Sequence, residues 1–336
     1  MPPITLQAGA LRATIDPDLG CALTEFTIDA PFGDRAPILR TPPIGVAEPA
    51  ALASFLMAPW VNRIADARFA FEGTTHRLHA NNPDHTAIHG EARDHPWSVT
   101  DRSPVSIRCS LDRPPTNSSG TFPFAYACTF RAELSAEALD LDLDITNTGE
   151  TNMPAACGHH PYFSRRLLDD NDDVHLRLPV AARYPTQSAI PTGPPRDDGL
   201  CERLRRGTPL GSLPLDDLFQ KAPGPIEITW PASRVRVTLD APEPLTHLML
   251  FAPRAAVGPH TRPTAGPTPW FCLEPQTAAA DAFNALARGD KAAGARTLAP
   301  GESLRTRLRM TAERLEPSPQ PGPQTSRSPD HADRSS

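Results

Sequence analysis

Across residues 139–145, leucine or isoleucine alternates with aspartate without a break, and Leu304-Arg305-Thr306-Arg307-Leu308-Arg309-Met310 nearly repeats the pattern with arginine. A period of two places the apolar side chains on one face and the charges on the other, as in an antiparallel strand half on a core and half in water. Val235, Val237 and Leu239 fall in the same phase, and the apolar runs at 226–230 and 245–251 are bounded by Pro, Gly or Asp. Helices are opposed throughout: 41 of 336 residues are proline, and a proline in a helix interior costs roughly 3 kcal/mol. The fold class read from this pattern is all-β. One helix is expected, at 281–288 before Gly289, lying on the surface.

Segments 112–120, 188–199 and 253–269 are dense in Pro, Gly, Ser and Thr and read as loops. No repeat or linker divides the first 312 residues, so 1–312 is expected to be one domain. Residues 313–336 have almost nothing apolar to bury and are expected to be a disordered Pro/Ser-rich tail.

The net charge of −6 carries no Lys/Arg stripe interleaved with aromatics, which argues against nucleic acid as a partner. No apolar window approaches the roughly 18 residues of a membrane span, and the N-terminus has neither a positive nor an apolar leader region. A soluble cytoplasmic protein is expected, with no membrane partner. The six cysteines, Cys21, Cys109, Cys128, Cys157, Cys201 and Cys272, are scattered without a C-x-x-C pair and read as small buried hydrophobes.

Three segments carry candidate chemistry. Ile88-His89-Gly90 follows His85 by four residues, the spacing of a helical metal pair, but Pro83 and Gly90 oppose a helix, so His89 is either a functional or a structural imidazole. In Gly158-His159-His160-Pro161-Tyr162-Phe163 the glycine permits unusual backbone angles and Pro161 forces His160 to be extended. An imidazole held this way can exchange protons at neutral pH, whereas His159 projects oppositely and reads as structural. Cys272-Leu273-Glu274-Pro275-Gln276 sets a carboxylate in an apolar strand, where burial would raise its pKa toward that of an efficient base; a structural salt bridge is the other reading. Arg63, inside the apolar run Ala58-Pro59-Trp60-Val61-Asn62-Arg63-Ile64, needs a partner, either a ligand or a structural carboxylate. Asp216 and Asp217 add two carboxylates, for which loop capping is the bland reading.

Taken in order, Asn62-Arg63-Ile64, Ile88-His89-Gly90, Gly158-x-His160-Pro161-Tyr162-Phe163, Leu215-Asp216-x-x-Phe219 and Leu273-Glu274-Pro275-Gln276-Thr277 with Asp281-Ala-Phe-Asn284 resemble the aldose 1-epimerase (galactose mutarotase-like) family. The resemblance covers residues 1 to about 312. It implies a β-supersandwich of antiparallel sheets with few short helices, and an isomerase that interconverts the α and β anomers of a free aldohexose without cofactor or metal. By the same resemblance Glu274 is the general base, His160 the general acid and His89 a third catalytic group near the ring oxygen. Arg63, Asp216 and Asn62 bind the sugar, with Trp97 or Tyr162 offering it an aromatic face. The Pro-rich stretch at 257–269 looks like an insertion at the cleft rim. A monomer or weak dimer is expected, since no heptad or exposed apolar helix calls for an obligate partner.

Competing readings are a carbohydrate-binding supersandwich module without catalysis, an epimerase of a hexose 6-phosphate, and a metal-dependent cupin-type enzyme. The cupin's His-x-His followed by Glu is absent here.

Overall fold

A computed structural model describes residues 1–30, 34–43, 45, 48–116, 118, 120–211, 215–253 and 267–316. Most of the insertion-like stretch and all of the tail beyond 316 lie outside the described residues. The period-two runs are strands, as their spacing demands. Strand Ala138–Asn147 pairs antiparallel with Ser303–Arg314, and the register sets Asp140 against Arg309, Asp142 against Arg307 and Asp144 against Arg305. The aspartates of one run thus meet the arginines of the other on the wet face, with Arg307 at 3.2 Å from Asp140 and Arg305 at 3.7 Å from Asp144. Exposed pairs of this kind are worth about 0–1 kcal/mol each, so they select the register more than they stabilise the sheet. The last strand runs to Arg314, slightly past the boundary expected at 312.

These two strands lie in the middle of a nine-stranded antiparallel sheet. A second sheet, of ten strands, holds Ser54–Met57, Gly158–Ser164, Trp270–Gln276, His247–Ala252 and Leu215–Lys221 side by side in that order. The two sheets share one continuous apolar core, and the architecture is the expected all-β supersandwich. The first sheet alternates buried and wet residues. The central strands of the second are buried on both faces, because the excursion at 58–97 and the segment at 277–298 pack over the face turned away from the core. All six cysteines are free and buried. No helix among the described residues is long and apolar enough to cross a membrane.

Two helical details differ from expectation. The helix at Ala282–Ala287 is not a surface appendage: Ala282, Phe283 and Ala285 are buried, and Phe283 meets Phe69 edge-on at 5.3 Å. A second helix, Gly199–Arg206, forms in a Pro-rich region because Asp198 caps it by accepting from the Leu200 and Cys201 amides.

Doubly buried strands trap polar side chains. His159, opposite in direction to His160, is fully buried with neither ring nitrogen hydrogen-bonded, and burial pushes its pKa down to about 4. The unfolded chain protonates this imidazole below about 6.5 while the folded chain holds it neutral to about 4. Its contribution to stability is therefore complete above pH 6.5 and declines as pH falls toward 4, by at most about 3 kcal/mol. Urea unfolding at pH 7 and pH 4.5 should show a markedly smaller pH loss for His159→Leu than for wild type; parallel losses would refute this account.

Candidate active site

His160 and Glu274 face each other across strands Gly158–Ser164 and Trp270–Gln276. Gly158 pairs with Gln276 and Tyr162 with Cys272, and the two functional residues sit midway between these pairs. The closeness explains Gly158. Its backbone is not left-handed; instead, a Cβ there would stand 2.8 Å from both the Pro275 carbonyl oxygen and the Gln276 Cβ. The glycine expected to supply unusual angles supplies close approach. The result is a contact of 3.1 Å between His160 Nε2 and Glu274 Oε1, with both side chains almost wholly buried.

His89 arrives from the excursion at 58–97. Arg63–Ile64 pairs with Ala87–Ile88, and the chain then turns sharply, with His89 at φ 66° and Gly90 at φ 70°. The turn closes on the Ala58 carbonyl, which accepts from the Glu91 and Ala92 amides. A Cβ at Gly90 would lie 2.0 Å from that oxygen, so only glycine fits. The turn brings the His89 ring to 4.9 Å from that of His160, perpendicular to it.

Asn62, left-handed at φ 49° and buried, offers its carbonyl to the His89 amide and its side-chain oxygen to Arg63 at 3.4 Å. It therefore supports the site from behind. The Arg63 Nε donates to Asp84 at 3.0 Å. Burial pushes the Asp84 carboxyl up, but hydrogen bonds from Thr86, Asn82 and Arg63 outweigh it and hold the pKa at about 2. The structural ion pair considered for Arg63 is thus present, while its charge also reaches Glu274 and His89. Asp216 lies exposed on the same face of the sheet as Glu274, two residues along from Leu218, which pairs with Met249 and through it with Glu274.

Aromatic rings line the pair. Phe55 stacks on His160 at 4.3 Å and Tyr162 at 4.7 Å, and the two rings lie 6.2 Å from each other. Tyr162 is thus the site's aromatic wall, whereas Trp97 is buried with its indole N–H on the Ala92 carbonyl and shapes the turn. Phe55, Arg40 and Arg93 were not singled out from the sequence. Arg40 rests over Tyr162 at 3.5 Å and over Trp270 at 5.1 Å; Arg93 covers Phe55 at 4.8 Å.

Burial dominates the electrostatics. It pushes the His160 imidazole well below its ordinary value, with Arg93 and Arg40 acting the same way. His89 is pushed down by burial, then by His160, Arg93 and Arg63. The Glu274 carboxyl is pushed well up by burial and by Asp216, against the opposing charge of Arg63. Each partner thus favours its neutral form. His89 Nδ1 and Glu274 Oε2 are buried without a hydrogen-bond partner, an arrangement native proteins rarely tolerate away from functional sites. Donor atoms of His89, His160 and Glu274 lie within 4.8 Å of one another, so they could close on a divalent ion. Three guanidiniums, Arg40, Arg63 and Arg93, act electrostatically on these same residues and disfavour a further dication.

The excursion is fastened by the segment after Glu274. The Asp281 amide donates to the Arg63 carbonyl and its carboxylate accepts from the Ala65 amide, while Asn284 accepts from Ala70 and donates to the Arg68 carbonyl. Asn284→Ala removes these two contacts and the bond that its amide donates to the Asp281 carboxylate, and should cost about 1–3 kcal/mol. Thermal unfolding should record that loss; unchanged melting would contradict this role.

The chain matches the family described as aldose 1-epimerase over residues 2–311. It is 24% identical over 319 residues to the uncharacterized YphB of Escherichia coli K12, covering 93% of this chain and 99% of that protein, and 27% identical over 241 residues to YihR of the same strain, covering 70% and 75%. Among solved structures, a galactose mutarotase-like protein from Clostridium acetobutylicum superposes with a TM-score of 0.79 at 21% identity, covering 93% of this chain and 95% of that one. The GalM/aldose epimerase homologue of C. elegans gives 0.78 at 17% identity, covering 94% and 99%. A family match over residues 2–311, the shared fold and the meeting of His89, His160 and Glu274 at one spot lead to one statement: this chain belongs to the aldose 1-epimerase family.

Proposed function

We propose that the protein is a mutarotase that interconverts the α and β anomers of a free aldohexose at His160, Glu274 and His89. The observation that carries this reading is the direct His160–Glu274 contact at 3.1 Å, with Glu274 Oε2 and His89 Nδ1 left for a ligand. Opening a hemiacetal needs one proton taken from O1 and one given to the ring oxygen. A base and an acid a few ångströms apart are the minimal apparatus.

In the opening step Glu274 takes the O1 proton, the C1–O5 bond breaks as C1=O1 forms, and O5 receives the proton of His160. Rotation about C1–C2 presents the other face of C1. O5–H then attacks, returning its proton to His160, while Glu274 returns a proton to O1. The enzyme ends with the proton content it began with.

Burial favours the neutral carboxyl and imidazole, yet the reactive carboxylate and imidazolium differ from them only by one proton moved across the 3.1 Å contact. Arg63 favours the carboxylate end of that exchange. In this reading His89 hydrogen-bonds the sugar near the ring oxygen and Asp216 and Arg63 take hydroxyls, with Asn62 holding the turn that carries His89.

Polarimetry on freshly dissolved α-D-glucose and α-D-galactose tests the reading. Wild type should accelerate mutarotation, and Glu274→Gln and His160→Asn should each lose about 10²–10⁴-fold. Exhaustive chelation should leave the rate unchanged. No acceleration by the folded protein would move the reading to another aldose, a sugar phosphate or binding without catalysis; loss on chelation would revive a metal at His89, His160 and Glu274.

A further inference from the structure

Five groups from distant parts of the chain form one cluster around His160. The Arg93 guanidinium covers Phe55, Phe55 stacks on His160, His160 on Tyr162, and Arg40 covers Tyr162. The two rings packed on His160 lie within 30° of its plane, and their own centroids are 6.2 Å apart. An imidazole packed against aromatic rings ordinarily gains from becoming a cation where it meets their electron-rich faces. Here each of the two rings already carries a cation, Arg93 on Phe55 and Arg40 on Tyr162.

We propose that Arg93 and Arg40 are positioning residues that, by holding a charge on each of the two rings that meet His160, make it a stronger proton donor to the ring oxygen. Its catalytic consequence rests on the mutarotase reading; the electrostatics of the cluster do not. Arg93 is held against Phe55. Its side chain is largely buried, its Nε has no hydrogen bond, and its nearest carboxylate, Asp94 at 3.7 Å, is half exposed and screened by solvent. Its backbone is pressed against Gly20, where a Cβ would lie 2.3 Å from the Arg93 carbonyl oxygen, so the guanidinium is set by a tightly packed turn.

Other groups also face His160. Glu274 touches it, His89 meets it edge-on, and Tyr162 lies against it. Asp216, Arg63 and Cys272 reach it through Glu274, and the buried Cys272 thiol stays protonated. Of these, only Glu274 and Asp216 favour the imidazolium. A unit charge at roughly 8–9 Å in protein of effective dielectric near 20 moves a titration by about one pH unit.

The experiment is a histidine ring NMR titration of the full-length protein, with His160→Gln identifying the His160 signal, followed by pH profiles of mutarotation. Arg93→Gln should move the coupled His160–Glu274 titration up by about one pH unit, and Arg93→Lys should leave it in place. The mutarotation profile of Arg93→Gln should shift by the same amount with KM little changed. Identical titrations, including both staying neutral down to acid unfolding, overturn the proposal, and a moved titration with an unmoved profile overturns its catalytic half. If Arg93→Gln does not fold, Arg40→Gln applies the same test from the second ring. A wild type without mutarotation refutes the mutarotase reading, and the titration still decides the electrostatic half.

Discussion

The architecture turns on the pairing of Gly158–Ser164 with Trp270–Gln276. These strands come from segments more than a hundred residues apart, and their register alone decides that a histidine stands opposite a glutamate. A slip of one residue would turn His160 toward the core and bring His159, now fully buried without a partner, to the site. The missing Cβ of Gly158 permits the close approach, and Pro161 and Pro275 keep both strands extended at the critical positions. Around this pair the rest of the sheet is support. Ser54–Met57 brings Phe55 beside His160, and His247–Ala252 backs Glu274 with Met249.

Burial on both faces is what makes the pair chemically useful and also what makes it costly. In water a carboxylate and an imidazolium would hold their charges separately. Away from water each charged form is disfavoured, and the cheapest state is the neutral pair sharing a proton across a short contact. The same environment strengthens every nearby charge, so Arg63 on the carboxylate side and Arg40 and Arg93 on the imidazole side act with little screening. The surface ion pairs of the opposite sheet, Asp140 with Arg307 for instance, involve the same kinds of group with far less effect, because water surrounds them.

The fold class was legible because a half-buried strand writes its geometry into the sequence as alternation. Leu139 to Ile145 and Leu304 to Met310 are such strands, and they prove to be neighbours. The strands that carry chemistry are buried on both faces and show no alternation; Gly-His-His-Pro-Tyr-Phe and Cys-Leu-Glu-Pro-Gln stood out through their residue types and their resemblance to a family. Phe55, Arg40 and Arg93 escaped notice because nothing local marks them: each is ordinary in its own segment and becomes significant only when three separate strands and a turn meet. Arg93 carried one faint signal, its place three residues after Gly90 in the turn that delivers His89. The helix at Ala282–Ala287 was legible as a helix, but its buried face was not, because Phe69 and Phe122, distant in sequence, are what make Phe283 a core residue.

The candidate residues are held by different kinds of structure. His160 and Glu274 are held by the register of two central strands, which cannot change without dismantling the sheet. Arg63 and His89 belong to an excursion held on by Asp281 and Asn284, and Asp216 projects from a strand next to the edge strand Val180–Arg183. If the proposed reading holds, substitutions in the excursion or near the edge alter which hydroxyls are gripped while the proton-transfer pair stays in place. The pair and its supporting rings demand a particular backbone, whereas Arg63, His89 and Asp216 need only be presented by it.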